Sequence, residues 1–365
     1  MRLQHFEHKL RPFLQDILSE KAFTALYSLS RSKALKSLEK FTPSEGISTK
    51  IEPLRLFDNL NFRNDLGNAA GFDKDGSLLP FNYKIGAGFS VVGTVLSKTH
   101  TGNLYKNYGF NSNMWTPLTH SNSALNSLGL PSMGINHTLD NIKEFCDKYQ
   151  PKNFPIGLSI MGHPEDEGSK KHDGVLECIE KAKGTVDFFE INESCPNVAH
   201  HDSNLDELQV RLQSIHEARQ LSNGKPIPVF IKMGKIPDPS GLLNLLVKEK
   251  IEGLVALNTQ TNYLNFKNLL NEKDHKLFDY YTNKYKGGLS GKIIKEHSFE
   301  TIKSLSEINA TLPKKIELIH VGGISNPDDV KRSREFCGLR EWYTCFMSAL
   351  GTQSWEDIYK NMTST

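Results

Sequence analysis

The sequence predicts an α/β protein, a (β/α)8 TIM barrel preceded by an N-terminal helical extension. Two observations support the barrel. From about residue 50 onward, eight short apolar runs alternate with longer helix-like stretches, and four of the runs end in Gly or Asn. Parallel strands that are buried on both faces are near-continuous apolar runs, and a barrel collects its functional residues at the carboxyl ends of its strands.

The first 40 residues differ from the rest of the chain and predict the extension. Apolar residues recur there every three or four positions, as on one face of a helix: Phe6, Leu10, Phe13, Leu14, Ile17 and Leu18. Ser19 is a suitable N-cap for a second helix. Basic residues exceed acidic ones by four in this segment. It is either a helical cap packed on the barrel or a basic amphipathic hairpin on a membrane surface. We assign residues 1–45 to the extension and residues 46–365 to the barrel.

The eight apolar runs give the predicted strands in chain order. They are GNAAG (67–71), GFSVVGTV (88–95), FPIGLSI (154–160), DFFEIN (187–192), PVFIKM (228–233), GLVALN (253–258), IELIHVGG (316–323) and EWYTCFM (341–347). The polar segment 271–288 is predicted to be a long loop over one mouth of the barrel.

Composition excludes several classes of function. The net charge is +2, which gives no reason to expect nucleic acid as a partner. The five cysteines are scattered and lack metal-ligand spacing, so we predict no disulfide framework, no metal site and a reducing compartment. No apolar run approaches the roughly 18 residues of a membrane span. Any membrane contact is therefore expected to be peripheral.

Charged and glycine-rich positions at the predicted strand ends suggest a ligand site. Lys232 lies inside an apolar strand, where it is either a salt-bridged core lysine or a cation that faces an anionic ring system such as a reduced flavin. Glycine-rich turns at 287–292 and 321–324 fall where barrels bind phosphate through backbone N–H groups. Lys74 follows the small residues of NAAGFDKDG, either as a solvated side chain or near a flat cofactor.

Four asparagines and a cysteine complete the candidate set. Asn126, Asn192, Asn197 and Asn258 each carry a donor and an acceptor, which suits a planar, amide-rich ligand such as a pyrimidine, although each alone is an ordinary turn residue. Cys195 is a passive thiol, a nucleophile or a general base. No histidine is placed with certainty to activate it as a nucleophile, whereas a base needs only reach and a suitable pKa.

Ordered motifs over residues 54–347 resemble the dihydroorotate dehydrogenases, flavoenzymes that oxidise dihydroorotate to orotate in pyrimidine synthesis. The motifs are NAAGFDKDG, GTV with GN, NSLGLPSMG, INESCPN, VFIKM, ALNTQT, GGLSGK, VGGIS and YT. Nine motifs in the same order are a specific match. The resemblance implies that Cys195 is the base that takes the C5 proton while a hydride passes from C6 of the substrate to flavin N5.

The resemblance also implies a cofactor and a substrate site. FMN would be bound by Ala69, Ala70, Gly71, Thr94, Lys232, Ser290, Gly291, Gly322, Gly323, Tyr343 and Thr344, with Lys232 beside N1 and O2 of the ring. Dihydroorotate or orotate would be bound by Lys74, Asn126, Gly129, Leu130, Asn192, Asn197, Asn258 and Thr259, with Lys74 near the carboxylate.

The chain combines features of two classes of this family. The extension and Lys74 resemble the membrane-associated, quinone-using class 2, whereas Cys195, NSLGLP and LSIMG resemble the soluble class 1. Because a helical pair beside the flavin can form a quinone path, we expect quinone as the electron acceptor, before fumarate or another soluble acceptor. NAD is the least expected. The corresponding location is the cytoplasmic side of the inner membrane, with peripheral attachment through residues 1–40.

The last predicted strand departs from the family pattern. Arg340, Glu341 and Trp342 stand where the family has small apolar residues, which puts FMN phosphate binding in doubt. A degenerate, non-catalytic flavin-barrel scaffold is therefore an alternative. A barrel dehydrogenase with Cys195 as a covalent nucleophile is a further one, but it leaves Lys232 and the asparagines unexplained.

Overall fold

The structure is a computed structural model that describes residues 3–40, 54–56, 60–193 and 205–363. Two predicted site residues, Cys195 and Asn197, lie outside the described residues, as does the predicted domain boundary at residue 45.

Helices and strands alternate along most of the described chain. The helices are α1 (Leu3–Ile17), α2 (Glu20–Lys40), α3 (Leu79–Lys84), α4 (Ile135–Tyr149), α5 (Ser169–Ala182), α6 (Leu205–Ala218), α7 (Pro239–Lys248), α8 (Leu264–Lys267), α9 (His275–Tyr285), α10 (Lys295–Thr311), α11 (Pro327–Arg334), α12 (Thr344–Thr352) and α13 (Ile358–Thr363). The strands are β1 (Leu54–Leu56), β2 (Leu60–Phe62), β3 (Leu66–Asp73), β4 (Ser90–Val95), β5 (Tyr105–Asn107), β6 (Phe110–Ser112), β7 (Met114–Leu118), β8 (Ser123–Ser127), β9 (Ile156–Ile160), β10 (Phe188–Asn192), β11 (Val229–Met233), β12 (Gly253–Ala256), β13 (Gly288–Gly291), β14 (Glu317–Val321) and β15 (Leu339–Trp342).

Eight parallel strands close into a barrel, which confirms the predicted fold. The order around the barrel is β10, β11, β12, β14, β15, β3, β4 and β9. Each of the eight predicted apolar runs contributes one of these strands. The prediction of a strand over 341–347 was wrong at both ends. Strand β15 begins at Leu339 and ends at Trp342, and helix α12 begins at Thr344. Cys345, Phe346 and Ala349 are buried on one face of that helix, as helical spacing requires.

The prediction of a long polar loop over 271–288 was also wrong. Most of this segment is helix α9. Leu277, Phe278 and Tyr281 recur at helical spacing and are buried, together with Phe23 of α2, in one hydrophobic cluster. The many Lys, Asn and Asp residues of the segment therefore belong to the exposed face of an amphipathic helix.

Alternate residues of each barrel strand point into the barrel. At the amino-terminal end of the barrel the interior is filled by an apolar layer. It comprises Val91, Phe188, Phe230, Val255, Ile319 and Leu339 of the barrel strands, Phe89 directly before β4, and Phe62 of β2. The short hairpin β1–β2 covers this end, since Leu54, Leu56 and Leu60 pack against the layer. The opening of the barrel is therefore at the carboxyl ends of the strands.

The two predicted N-terminal helices are present as α1 and α2. Ser19 caps α2, because its Oγ accepts a hydrogen bond from Ala22 N at 3.3 Å. Helix α2 packs on β7 and buries Phe23 and Tyr27. The predicted apolar face of α1 is divided, since Leu14 and Leu18 pack against the protein whereas Phe6, Phe13 and Ile17 are more than half exposed. No described helix is both long and apolar enough to cross a membrane.

Candidate active site

A pocket opens at the carboxyl ends of the barrel strands and has an empty volume of about 1080 Å³. It brings together nearly all the predicted site residues that the structure describes: Ala69, Ala70, Gly71, Lys74, Thr94, Asn126, Leu130, Asn192, Lys232, Asn258, Thr259, Ser290, Gly291, Gly322, Gly323, Tyr343 and Thr344. Gly129 precedes Leu130 in a turn and does not line the pocket.

Lys232 and Glu341 line the floor of the pocket, and Glu190 forms an ion pair with Lys232. We call these three ionisable side chains the buried triad. Lys232 Nζ lies 3.3 and 3.2 Å from the two carboxylate oxygens of Glu190 and 3.7 Å from Glu341 Oε2. Each of the three follows an apolar-layer residue by two positions, namely Phe230, Phe188 and Leu339, so strand alternation directs all three into the barrel.

Burial and mutual interaction shift the proton affinities of the triad. Burial alone lowers the pKa of a lysine, but the charges of Glu190 and Glu341 outweigh it and raise the pKa of Lys232. Lys232 is therefore a cation at neutral pH. Burial, together with the neighbouring charge of Glu190, raises the pKa of Glu341 to about 8, although Lys232 opposes the shift.

A chain of hydrogen bonds links the amide side chains on one wall. Asn258 Nδ2 donates to Asn192 Oδ1 at 3.3 Å, and Asn192 Nδ2 donates to Thr94 Oγ1 at 3.1 Å. The backbone N–H of Thr259 donates to Asn258 Oδ1 at 2.8 Å. These bonds fix the orientation of both amides, so the wall presents donors and acceptors in set positions to a ligand.

Glycine turns and a helix start form the opposite wall. Gly322 and Gly323 have φ values of 138° and 69°, and a Cβ on either would lie 2.8 or 2.6 Å from atoms of α10. Only glycine therefore fits this close approach. Ser290 Oγ and Thr344 Oγ1 are 2.8 Å apart, and Thr344 is the first residue of α12. Backbone N–H groups at a helix N-terminus and a glycine turn favour an anionic group.

The N-terminal extension reaches this pocket. Arg31 Nη2 of α2 donates a 2.6 Å hydrogen bond to the Tyr343 hydroxyl. A second cavity, with an empty volume of about 1400 Å³, lies between α2 and the barrel and is lined by Arg31 and Leu35 on one side and Phe72 on the other. Lys74 lines both cavities. A molecule in the second cavity would therefore lie next to the main pocket.

Sequence reasoning missed some pocket residues and misjudged others. Trp115 lines the pocket from β7, which is outside the eight predicted strands, and no motif marks it. Arg340 was expected to disturb the pocket, yet it faces the surrounding helices, where its guanidinium donates to Ser333 Oγ and Cys337 O. Glu341 and Trp342 of that strand line the pocket, and Glu341 contacts Lys232.

The fold and pocket define a barrel enzyme with a ligand site at the carboxyl ends of its strands. The dihydroorotate dehydrogenase family profile matches residues 55–360. The chain is 29% identical over 353 residues to the dihydroorotate dehydrogenase (quinone) of Buchnera aphidicola, covering 91% of this chain and 92% of the relative. It is 26% identical to the protein of the same name from Vibrio parahaemolyticus, covering 84% and 88%.

A solved structure has the same fold. The crystal structure of DHODH from Eimeria tenella in complex with ferulenol superposes with a TM-score of 0.69 at 21% identity and covers 87% of this chain and 86% of that one. The chain belongs to the dihydroorotate dehydrogenase family. The predicted class of enzyme, an oxidoreductase of pyrimidine biosynthesis from a generally flavin-dependent family, is thereby confirmed.

Proposed function

We propose that this chain oxidises dihydroorotate to orotate with FMN as its cofactor and passes the electrons to a quinone. The observation that carries the proposal is the pocket itself. A cation at the floor, an amide wall and a glycine-rich anion cradle converge at the open end of a barrel whose family performs this reaction. These three features match the parts of FMN and a pyrimidine ring that need recognition.

The pocket residues fit FMN in size and chemistry. Its phosphate would be held by Gly322, Gly323 and the N-terminus of α12, where N–H donors and the helix dipole favour an anion. The flavin ring would lie against the backbone of Ala69–Gly71, with Lys232 beneath it. When bound, FMN would supply the acceptor for the substrate hydride. The Lys232 cation would stabilise the negative charge that hydride transfer brings into the pocket.

The amide wall suits the substrate ring. Asn192 and Asn258 are oriented by their mutual hydrogen bond and by Thr94, so they can donate to and accept from the ring amides without rearranging. Asn126 would contact the ring from the side of β8, and Lys74 would pair with the substrate carboxylate. Asn197, which we also assign to the substrate, lies outside the described residues.

Cys195 would act as the general base and remove the C5 proton of dihydroorotate. It lies outside the described residues, three positions after Asn192, which lines the pocket. This closeness in sequence to a pocket residue supports the assignment, because a general base must lie within reach of the proton that it removes.

The experiment that tests the function begins with the purified protein and its visible absorbance. We expect flavin absorbance that bleaches when dihydroorotate is added without oxygen. The Cys195→Ala variant should keep the flavin but bleach far more slowly, whereas Cys146→Ala, on α4 and away from the pocket, should behave as the parent. A protein that takes up no FMN would instead support the non-catalytic scaffold, and equal bleaching rates would refute Cys195 as the base.

The second cavity supports quinone as the acceptor. It adjoins the main pocket through Lys74, and relatives that match most of the chain are named as quinone enzymes. To test this, turnover with a quinone analogue is compared with turnover with fumarate in Leu35→Trp, which fills the cavity, and in Lys36→Trp, which is exposed on the same helix. We expect only Leu35→Trp to lose quinone turnover selectively. Equal loss with both acceptors would exclude this cavity as the quinone route.

Helix α1 supports peripheral attachment to a membrane, which we propose to be the cytoplasmic side of the inner membrane. Phe6, Phe13 and Ile17 are exposed by 52%, 57% and 58%, which is unusual for large apolar side chains of one helix. The Phe6→Glu/Phe13→Glu variant should lose binding to phospholipid vesicles, whereas Val210→Glu, exposed on α6, should retain it. Unchanged vesicle binding would show that α1 is not the membrane contact.

A further inference from the structure

The buried triad holds an odd number of ionisable groups in a site that is almost completely buried. Glu190 and Glu341 have no exposed side-chain surface, and that of Lys232 is 5% exposed. One cation cannot neutralise two carboxylates. If both were ionised, the floor of the pocket would carry a net negative charge in a low-dielectric environment, which is strongly unfavourable.

The geometry shows which carboxylate lacks compensation. Both oxygens of Glu190 receive hydrogen bonds from Lys232 Nζ. Both oxygens of Glu341 are buried without a hydrogen-bond partner among the described residues, and its contact with Lys232 is beyond hydrogen-bond distance at 3.7 Å. Glu341 is therefore the member of the triad that gains most from binding a proton.

Among the described residues, the charged groups that act on Glu341 are Lys232 on β11 and Glu190 on β10, the other two members of the triad. Neither strand is adjacent to β15, so both side chains meet Glu341 across the barrel interior. On its own strand, Arg340 points away into the helical layer. The other titratable side chains that line the described part of the pocket are Lys74, Tyr343 and Cys345. Tyr343 is held by Arg31 through its hydroxyl.

We propose that Glu341 is a proton-binding charge regulator of the flavin site: it binds a proton when the flavin above Lys232 becomes negatively charged and releases it when the flavin is reoxidised. The inference rests on the proposed FMN site. Its cause is direct, because a new negative charge beside the triad favours the neutral form of the carboxylate that has least compensation.

The step balances in protons and electrons. Dihydroorotate loses a hydride, which carries two electrons and one proton to the flavin, and a proton, which goes to Cys195. At a pH at which Glu341 is ionised in the oxidised enzyme, its carboxylate takes up one additional proton from solvent and forms no other bond. When the electrons leave for the acceptor, Glu341 returns that proton. Glu341 itself is neither oxidised nor reduced.

The test is the pH dependence of the flavin midpoint potential in the parent, in Glu341→Gln and in the control Glu317→Gln. Glu317 is a partly buried residue at the start of β14 whose carboxylate accepts a hydrogen bond from Gly338 N, and it does not line the pocket. Below the pKa of Glu341 in the oxidised enzyme, the parent and Glu341→Gln should have similar potentials, because a glutamine resembles a protonated glutamate. Above this pKa, the midpoint potential of the parent should fall with increasing pH twice as steeply as that of Glu341→Gln. The potential of Glu317→Gln should follow that of the parent.

Each result has a distinct meaning. A single slope in the parent over the whole range, or parallel curves for the parent and Glu341→Gln, would overturn the role of Glu341. Infrared spectra of the parent supply a check that needs no variant. At a pH above this pKa, the absorption band of a protonated buried carboxyl group should grow when the flavin is reduced. If the band does not grow, the proposal is overturned as well. Failure to bind FMN at all would refute the proposed function instead, and it is seen directly as missing absorbance.

Discussion

The two ends of the barrel interior are built by the same strands and have opposite chemistry. At the amino-terminal end, Phe188 and Phe230 pack edge to face with their ring centroids 5.5 Å apart. Two residues further along the same strands, Glu190 and Lys232 form a buried ion pair. One step of the strand repeat thus separates an apolar layer from a charged floor.

The difference shows how the fold divides stability from function. The apolar layer gains free energy from burying aromatic surface and needs no partner groups. The charged floor loses solvation energy and recovers it only through mutual contacts, so it is a poor source of stability but a strong source of electric field in the pocket. Variants at the two ends should therefore fail in different ways.

The largest effect is expected at the apolar layer. Phe230→Ala removes a ring that is fully buried among aromatic neighbours, and we expect a loss of about 3–5 kcal/mol in the free energy of unfolding. Phe13→Ala, at an exposed position of α1, should change it by less than about 0.5 kcal/mol. Denaturant titration measures both. If Phe230→Ala unfolds like the parent, the layer is not the stabilising end.

A somewhat smaller loss of stability is expected at the charged floor, accompanied by a functional defect. Lys232→Met leaves two buried carboxylates without a cation and should cost about 3 kcal/mol. Adding Glu190→Gln should recover part of this loss, because it removes one of the stranded charges. Flavin affinity should stay low in both variants, as measured by fluorescence titration. Recovery of flavin affinity in the double variant would show that the positive charge of Lys232 is not what the flavin requires.

Two aspartates at opposite ends of β3 sharpen the comparison through pH. At the start, burial opposes ionisation of Asp65, but Arg334 and Arg340 outweigh it and lower its pKa. At the end of β3, burial and the charge of Asp75 raise the pKa of Asp73 to about 7. Asp65 therefore stabilises the native state at pH values above the pKa that it has in the unfolded chain. This stabilisation is lost as the pH falls. Asp73 binds a proton more tightly in the native state than in the unfolded chain. Its contribution to the free energy of unfolding therefore falls as the pH rises towards 7, by at most about 1.4 kcal/mol per pH unit.

Thermal unfolding at about pH 3, about pH 5 and about pH 7 separates the two effects. Asp73→Asn should lose less stability than the parent between about pH 5 and about pH 7, because an amide has no proton to release. Asp65→Asn should be destabilised, relative to the parent, more at about pH 5 than at about pH 3, where the parent has lost the contribution of Asp65. A parallel pH response of the two variants would contradict the opposite signs.

The sequence predicted positions along strands better than contacts between them. The eight barrel strands could be predicted because each is a continuous apolar run bounded by turns. Helix α9 was mistaken for a loop because its apolar residues are interpretable only once α2 is known to cover them. The role of Glu341 was equally out of reach, since β15 lies three strands away from the strand of Lys232 in the barrel order. Local patterns specify which face a residue occupies, but not its neighbours.

The smallest expected effect concerns the glycine cradle at the open end. Ser298 Oγ on α10 donates to the carbonyl oxygen of Gly322 at 2.7 Å and lies 3.1 Å from His320 Nε2. Ser298 thus fixes the turn that we assign to the FMN phosphate from behind. Ser298→Ala should weaken FMN binding by about 1 kcal/mol, or about fivefold, because the turn loses one hydrogen bond that holds its conformation.

Thr301→Ala is the matched control for this prediction. Thr301 lies on the same helix and donates its hydroxyl hydrogen to His297 O, but it does so at an exposed position away from the cradle. We expect it to leave FMN affinity unchanged. If both variants weaken FMN equally, the effect belongs to α10 as a whole. If only Ser298→Ala does so, and free riboflavin is bound equally by parent and variant, the lost interaction belongs to the phosphate, and the open end of the barrel is organised from its outer helical layer as well as from its strands.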